Sequence, residues 1–217
     1  MLEQANDIAE LRAAVRKFVD GQVAPLLAAA EAAGQMSPEL LELIRAQGYC
    51  GLRIAEEWGG KGLSFAQYCA VLEEFARLGP SLHFWIADSA GMTLQRFGTR
   101  AQKEVYLRPY AQWKLKGSLA FTEPEAGSDA AAIRTRAEFR DSQWVIDGRK
   151  HYISRGDTAD FFLVTARTDP AKGARGITTF LVDRWTPGCK VTRIDESMGS
   201  RLHDPSVDRN PSRPPKI

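Results

Sequence analysis

The sequence predicts an α+β chain: an all-α N-terminal domain over residues 1–113, a β domain over 114–199, and an aperiodic, disordered tail over 200–217. Three observations carry this. Apolar residues recur at steps of three and four up to about Gln112, then give way after Lys116 to short β-branched and aromatic runs separated by turn residues. From Ser200 the periodicity stops, and four of the chain's 11 prolines follow.

In the first part, Ile8, Leu11, Val15, Phe18 and Val19 share one helical face, with Glu10, Arg12, Arg16 and Lys17 on the wet side. The pattern breaks near Gly34. Ser37-Pro38-Glu39 reads as an N-cap followed by a proline in the first turn, and the short helix it opens stops near Gly48. Glu56 to Gly62 is a glycine-rich loop around Trp58. Ser64 caps a helix carrying Phe65, Tyr68, Val71, Leu72 and Phe75, which Gly79-Pro80 ends; two more helices are predicted over 81–97 and 100–112. In the second part, strands are predicted at 117–122, 133–139, 143–146, 151–154, 161–166 and 176–182, with Asp147-Gly148 as a hairpin turn.

Bulk properties exclude several classes. Of 217 residues, 44% are apolar and 26% charged, the balance of a soluble globular protein. A net charge of +2 gives no general attraction to nucleic acid or membrane. The basic residues Arg134, Arg136, Arg149, Lys150 and Arg155 alternate with acids and read as solvated faces. Cys50, Cys69 and Cys189 are scattered and odd in number, so neither a metal site nor a disulfide framework is predicted. His83, His151 and His203 lack the Gly-x-Ser-x-Gly elbow of a hydrolase. The N-terminus has no signal-peptide pattern, and no apolar run is long enough to span a membrane; a cytoplasmic location is the expectation.

The segment Phe121-Thr122-Glu123-Pro124-Glu125-Ala126-Gly127-Ser128-Asp129 resembles the signature of the acyl-CoA dehydrogenase family, with all seven fixed positions of Thr-Glu-Pro-x-Ala-Gly-Ser-Asp present. Three weaker matches stand in order. Glu56-Glu57-Trp58-Gly59-Gly60 resembles the family's Pro-Glu-Glu-Tyr-Gly-Gly loop, with Ala55 replacing the proline. Phe97-Gly98-Thr99, Gln102-Lys103 and Tyr106-Leu107 resemble its Gly-Thr-x-x-Gln-Lys helix. Asp147 to Ser154 resembles its Asn-Gly-x-Lys-x-Trp-Ile-Thr strand. The resemblance covers residues 1 to about 199 and implies a helical N-terminal domain, a β-barrel-like middle domain and, in the family, a C-terminal helical bundle that is absent here.

The same resemblance implies FAD as cofactor. It sets Phe121, Thr122, Gly127, Ser128, Tyr152, Ile153 and Ser154 at the flavin, with Ser128 also meeting the acyl-CoA. Thr122 supplies hydrogen bonds, Tyr152 replaces the tryptophan packed on the ring, and the Ser154 hydroxyl approaches flavin N5. Gly127 lets the chain pass close to a ligand. The implied reaction is α,β-dehydrogenation of an acyl-CoA thioester, with electrons passed to an electron-transferring-flavoprotein-like partner; full-length relatives are homo-oligomers. The catalytic base belongs to the absent bundle, so no catalytic residue is assigned, and Glu123 and Glu125 are read as structural. A truncated, impaired enzyme that binds FAD weakly or not at all is the expectation. Two alternatives stand beside it: a non-catalytic FAD or acyl-CoA binding module, and a flavin oxidase or monooxygenase of the same fold.

Overall fold

The computed structural model describes residues 7–33, 36–79, 82–192 and 202, which form two compact units dividing between Leu115 and Lys116.

The first unit is helical: α1 (Ile8–Phe18), α2 (Ala24–Ala33), α3 (Pro38–Ala46), α4 (Phe65–Leu78), α5 (Leu82–Ile86), α6 (Ser89–Phe97), α7 (Arg100–Gln102) and α8 (Arg108–Ala111). Wider π turns over Val19–Val23 and Lys103–Leu107 join α1 to α2 and α7 to α8. Local sequence starts the helices. Asp7 accepts from the Glu10 amide, Ser37 from the Leu40 amide with Pro38 in the first turn, and Ser64 with Gln67 and Thr99 with Gln102 form capping boxes. The single helix predicted over 81–97 is two, because the chain leaves helical geometry at Ala87 and Asp88. Leu11, Val15 and Phe18 of α1 bury against Val71 and Phe75 of α4, and Phe18, Tyr49 and Phe75 form an aromatic triad with ring centroids 4.9–6.4 Å apart.

Leu202 lies within the stretch read as a tail, yet it is buried in this helical core. The reason is specific. The buried indole of Trp85 needs an acceptor, and the Leu202 carbonyl supplies it at 3.1 Å. The rest of the 200–217 reading lies outside the described residues.

The second unit is a mixed five-stranded sheet: β1 (Gly117–Ala120), β2 (Arg136–Arg140), β3 (Gln143–Asp147), β4 (Phe161–Arg167) and β5 (Ile177–Asp183). The apolar run of β4 forms its centre. β5 covers one edge of β4 antiparallel over its whole length. β1 and β2 therefore share the other edge, both parallel to β4: β1 along Phe161–Val164 and β2 at Arg167. Between them the chain leaves the sheet over residues 121–135, and that excursion contains the signature turn. The sheet curls strongly. Strands three places apart in a flat sheet lie about 14 Å apart, but Trp144 on β3 meets Phe180 on β5 at 5.2 Å between centroids.

Two sequence expectations need correction here. The hairpin turn is Asp141-Ser142, not Asp147-Gly148. Arg140 pairs with Gln143, and both central residues have positive φ (49° and 64°), as a type I′ turn requires. Gly148 serves a different need, because a Cβ there would stand 2.3 Å from Thr135 Oγ1. Residues 151–154 are not a strand but a loop, since Tyr152 adopts a left-handed φ of 54° and cannot continue a ladder.

Candidate functional site

The predicted site residues fall on two adjoining segments of the β unit. β1 runs out through Phe121 into Thr122, and the loop 150–154 lies antiparallel beside this exit. Its ties are the His151 amide to the Thr122 carbonyl (2.8 Å) and the Ser118 hydroxyl to the Ser154 carbonyl (2.7 Å). Thr122 and Ser154 therefore lie on neighbouring segments.

The loop is anchored by Ile153, which packs against the small cluster of Ala120, Ala159 and Phe162. Ile153 thus lies under the loop, beneath the face expected to meet a flavin. Its neighbour Tyr152 points outward, 73% exposed, and stacks on His151 at 3.9 Å and 19°. Holding a large aromatic side chain in solvent on a left-handed backbone is unfavourable on both counts, and such strain concentrates where a ligand binds. Among the described residues, the hydroxyls of Thr122, Ser128 and Ser154 have no hydrogen-bond partner in the protein.

The signature turn follows. Glu123 and Ala126 bond to each other through both main-chain groups (2.9 and 3.2 Å), which throws Gly127, Ser128 and Asp129 outward, all exposed. A Cβ at Gly127 would meet nothing within 4 Å, and its φ is not left-handed, so the protein itself has no need of a glycine there. Arg167 pins the far end of the excursion, donating to the carbonyls of Ala131 (2.6 Å) and Ile133 (3.3 Å).

Lys150 departs from the sequence reading as a solvated residue. Its side chain is 10% exposed, and its ammonium donates to Glu123 Oε1 (2.7 Å), the Phe121 carbonyl (3.1 Å) and Thr165 Oγ1 (3.1 Å). Glu123 also accepts from the amides of Arg134 (2.6 Å) and Thr135 (3.1 Å). Burial pushes the Glu123 carboxyl up, but Lys150 and these amides outweigh it and hold it at about 2. Burial pulls the Lys150 ammonium down, and Glu123 offsets part of that. The sequence signal that could have found this pair is that each member belongs to a motif: Glu123 to Thr-Glu-Pro and Lys150 to Gly-x-Lys-x-aromatic. Arg134, Arg136 and Arg149 are exposed as read; with Glu125 and Asp147 they border a cleft of about 320 Å³ that includes neither Thr122 nor Tyr152.

The donor set suits a flat heteroaromatic ligand with a polar edge. It offers unclaimed hydroxyls, an outward aromatic ring and an open glycine on the two segments. No group of His, Cys, Asp and Glu suited to a metal ion occurs among the described residues.

A helical unit feeding a mixed sheet, with the Thr-Glu-Pro turn at the exit of the first strand, defines a dehydrogenase-type fold. Comparison with known proteins identifies it. Residues 6–114 match the acyl-CoA dehydrogenase N-terminal domain and residues 118–206 the acyl-CoA dehydrogenase middle domain. The chain belongs to the acyl-CoA dehydrogenase family. It is 36% identical over 195 residues to the mitochondrial short/branched chain specific acyl-CoA dehydrogenase of Rattus norvegicus, covering 88% of this chain and 45% of that protein. Among solved structures, the acyl-CoA dehydrogenase of Geobacillus kaustophilus superposes with a TM-score of 0.83 at 31% identity, over 92% of this chain and 54% of its own. A glutaryl-CoA dehydrogenase of Mycobacterium smegmatis, solved in complex with FADH2, gives 0.81 at 28% identity, over 91% and 50%. The chain thus spans about half the length of the relatives it matches. No helix among the described residues is long and apolar enough to cross a membrane.

Proposed function

We propose that the face formed by Phe121, Thr122, Gly127, Ser128, Tyr152 and Ser154 is the flavin-facing part of an acyl-CoA dehydrogenase site. FAD bound there supplies the hydride acceptor for α,β-dehydrogenation of an acyl-CoA thioester. The observation that carries this reading is the His151–Thr122 hydrogen bond, which sets the signature turn beside the Tyr152–Ser154 loop. In this role Tyr152 forms an aromatic wall, the hydroxyls of Thr122 and Ser154 orient the ring edge, and Ser128 meets the pyrophosphate and the acyl-CoA. A solved relative holding FADH2 supports it. Acyl-CoA as substrate and an electron-transferring flavoprotein as partner follow from the same family site.

We assign no catalytic base. Glu123, the buried carboxylate next to Thr122, is held at about 2 by hydrogen bonds to Lys150 and main-chain amides, which unfits it for taking a proton. That supports binding without turnover by these residues alone. The test is a titration of the isotopically labelled chain with FAD, followed by NMR, together with an acyl-CoA assay using an artificial electron acceptor. Weak binding is expected, with amide shifts confined to residues 121–128 and 151–154 and no turnover. Absence of shifts there at millimolar FAD overturns the site, and turnover overturns the assignment of binding alone.

A further inference from the structure

We infer that Lys150 is a positioning residue for this face: it fixes Thr122 relative to Tyr152 without itself meeting a ligand. The role toward FAD rests on the flavin site proposed above, whereas the geometry does not depend on it.

The loop 150–154 has no strand ladder to hold it, because Tyr152 is left-handed. Its placement depends on a few individual bonds. An ammonium has three donors, and all three of those on Lys150 are used, toward Phe121, Glu123 and Thr165. Phe121 and Glu123 flank Thr122, so one ammonium brackets the signature residue from both sides. The next residue, His151, then binds the Thr122 carbonyl directly. Thr165 belongs to β4, the most buried strand, and ties the whole arrangement to the centre of the sheet. Through Glu123 the same ammonium reaches the Arg134 and Thr135 amides, which lead into β2. Lys150 therefore stands where the exit of β1, the entry to β2, the centre of β4 and the Tyr152 loop converge, with its own side chain nearly removed from solvent.

The decisive variant is Lys150→Met combined with Glu123→Gln. It leaves no buried charge unpaired, and the amide oxygen introduced at position 123 can still accept from one of the Arg134 and Thr135 amides, which the carboxylate binds through separate oxygens. A residue with a merely structural role affects the sheet and the loop together; a positioning residue affects the loop selectively. In the double variant, hydrogen exchange of the His151 amide is expected to speed up by ~10-fold or more, while the β4 amides of Phe162 to Thr165 stay within roughly two-fold of wild type. The FAD-induced shifts at Thr122 and at Tyr152 to Ser154 are expected to disappear. Thr165→Val, which removes one acceptor and no charge, is the milder variant and is expected to speed His151 exchange by roughly two- to three-fold; it decides the question if the double variant does not fold.

Unchanged His151 exchange in the folded variants, equal acceleration in β4, or a full FAD response in the double variant each overturns the role of Lys150. Selective His151 acceleration in a chain whose wild type shows no FAD shifts leaves the positioning role standing and removes the flavin site.

Discussion

Glu74 and Glu123 are buried carboxylates, one in each unit, and they are buried in different ways. Glu74 in the helical unit has a side chain only 2% exposed, but its partners Arg16 and Arg77 reach it from solvent, at 2.8 and 3.2 Å, with about half of each side chain still wet. It fastens α4 to α1 from outside, and the hydrogen bond from Arg16 leads in holding its carboxyl below the ordinary range. Glu123 in the β unit has a buried partner, and its remaining acceptor capacity goes to main-chain amides. An ion pair with solvated arginines can rearrange, because water replaces whatever is lost. A pair whose members are both withdrawn from water has no such alternative, so loss of one member leaves the other buried and uncompensated, which ties the geometry to both. Glu74 serves the packing of the helical unit, and Glu123 the alignment of the β unit.

The difference can be broken most severely at Lys150. Lys150→Ala strands the Glu123 carboxylate and is expected to cost the β unit ~3–5 kcal/mol, read from chemical denaturation at neutral pH. Acid removes the same pair from the other side. A carboxyl whose folded pKa lies below its ordinary 4.5 contributes stability that is complete above that value and is lost as pH falls toward about 2. The wild-type chain should lose β-unit stability across that window, and Glu123→Gln should flatten the loss. Glu74→Gln is expected to cost less, ~1.5–3 kcal/mol, the usual worth of hydrogen bonds to a charged group. A Glu74 variant as damaging as Lys150→Ala would erase the distinction between the two units.

What the sequence disclosed follows the range of the interaction involved. Ser37-Pro38 and Ser64 announced their helices because a cap is made within three residues. The signature turn was legible as a motif for the same local reason. Asp147-Gly148 misled because the glycine answers to Thr135, a contact invisible along the chain, while the true turn at Asp141-Ser142 lacks the glycine that usually marks one. The β-prone run His151 to Ser154 gave no hint that Tyr152 turns left-handed. Lys150 stands among exposed arginines, and along the chain only its place in the Gly-x-Lys-x-aromatic motif separates it from them; its partner Glu123 is brought to it by the sheet. Leu202 was hidden in the same way, since its partner Trp85 lies 117 residues away.

A smaller contrast concerns what each unit tolerates. The Tyr49 ring packs against Phe18 and Phe75, its buried hydroxyl has no hydrogen-bond partner among the described residues, and burial pushes its pKa up. Removing an unpartnered buried hydroxyl relieves its desolvation, so Tyr49→Phe is expected to leave the helical unit as stable as before or to add ~1 kcal/mol. A loss above that size, by denaturant midpoint, would show that the hydroxyl is bonded after all.

The corresponding concession in the β unit is conformational rather than polar. Ser142 holds φ at 64° in a two-residue turn that favours glycine at that position. Ser142→Gly removes the clash of a Cβ in left-handed geometry but loosens the unfolded chain, and the two effects oppose each other. The net gain is expected to be about 0.5 kcal/mol, seen as a shift in denaturant midpoint at unchanged slope. The turn lies at the hairpin tip, at the opposite end of β3 from Lys150, so the gain should persist in Lys150→Ala. If it vanished there, the hairpin and the Glu123–Lys150 pair would be one cooperative element, and alignment would extend through β2 and β3 to their turn.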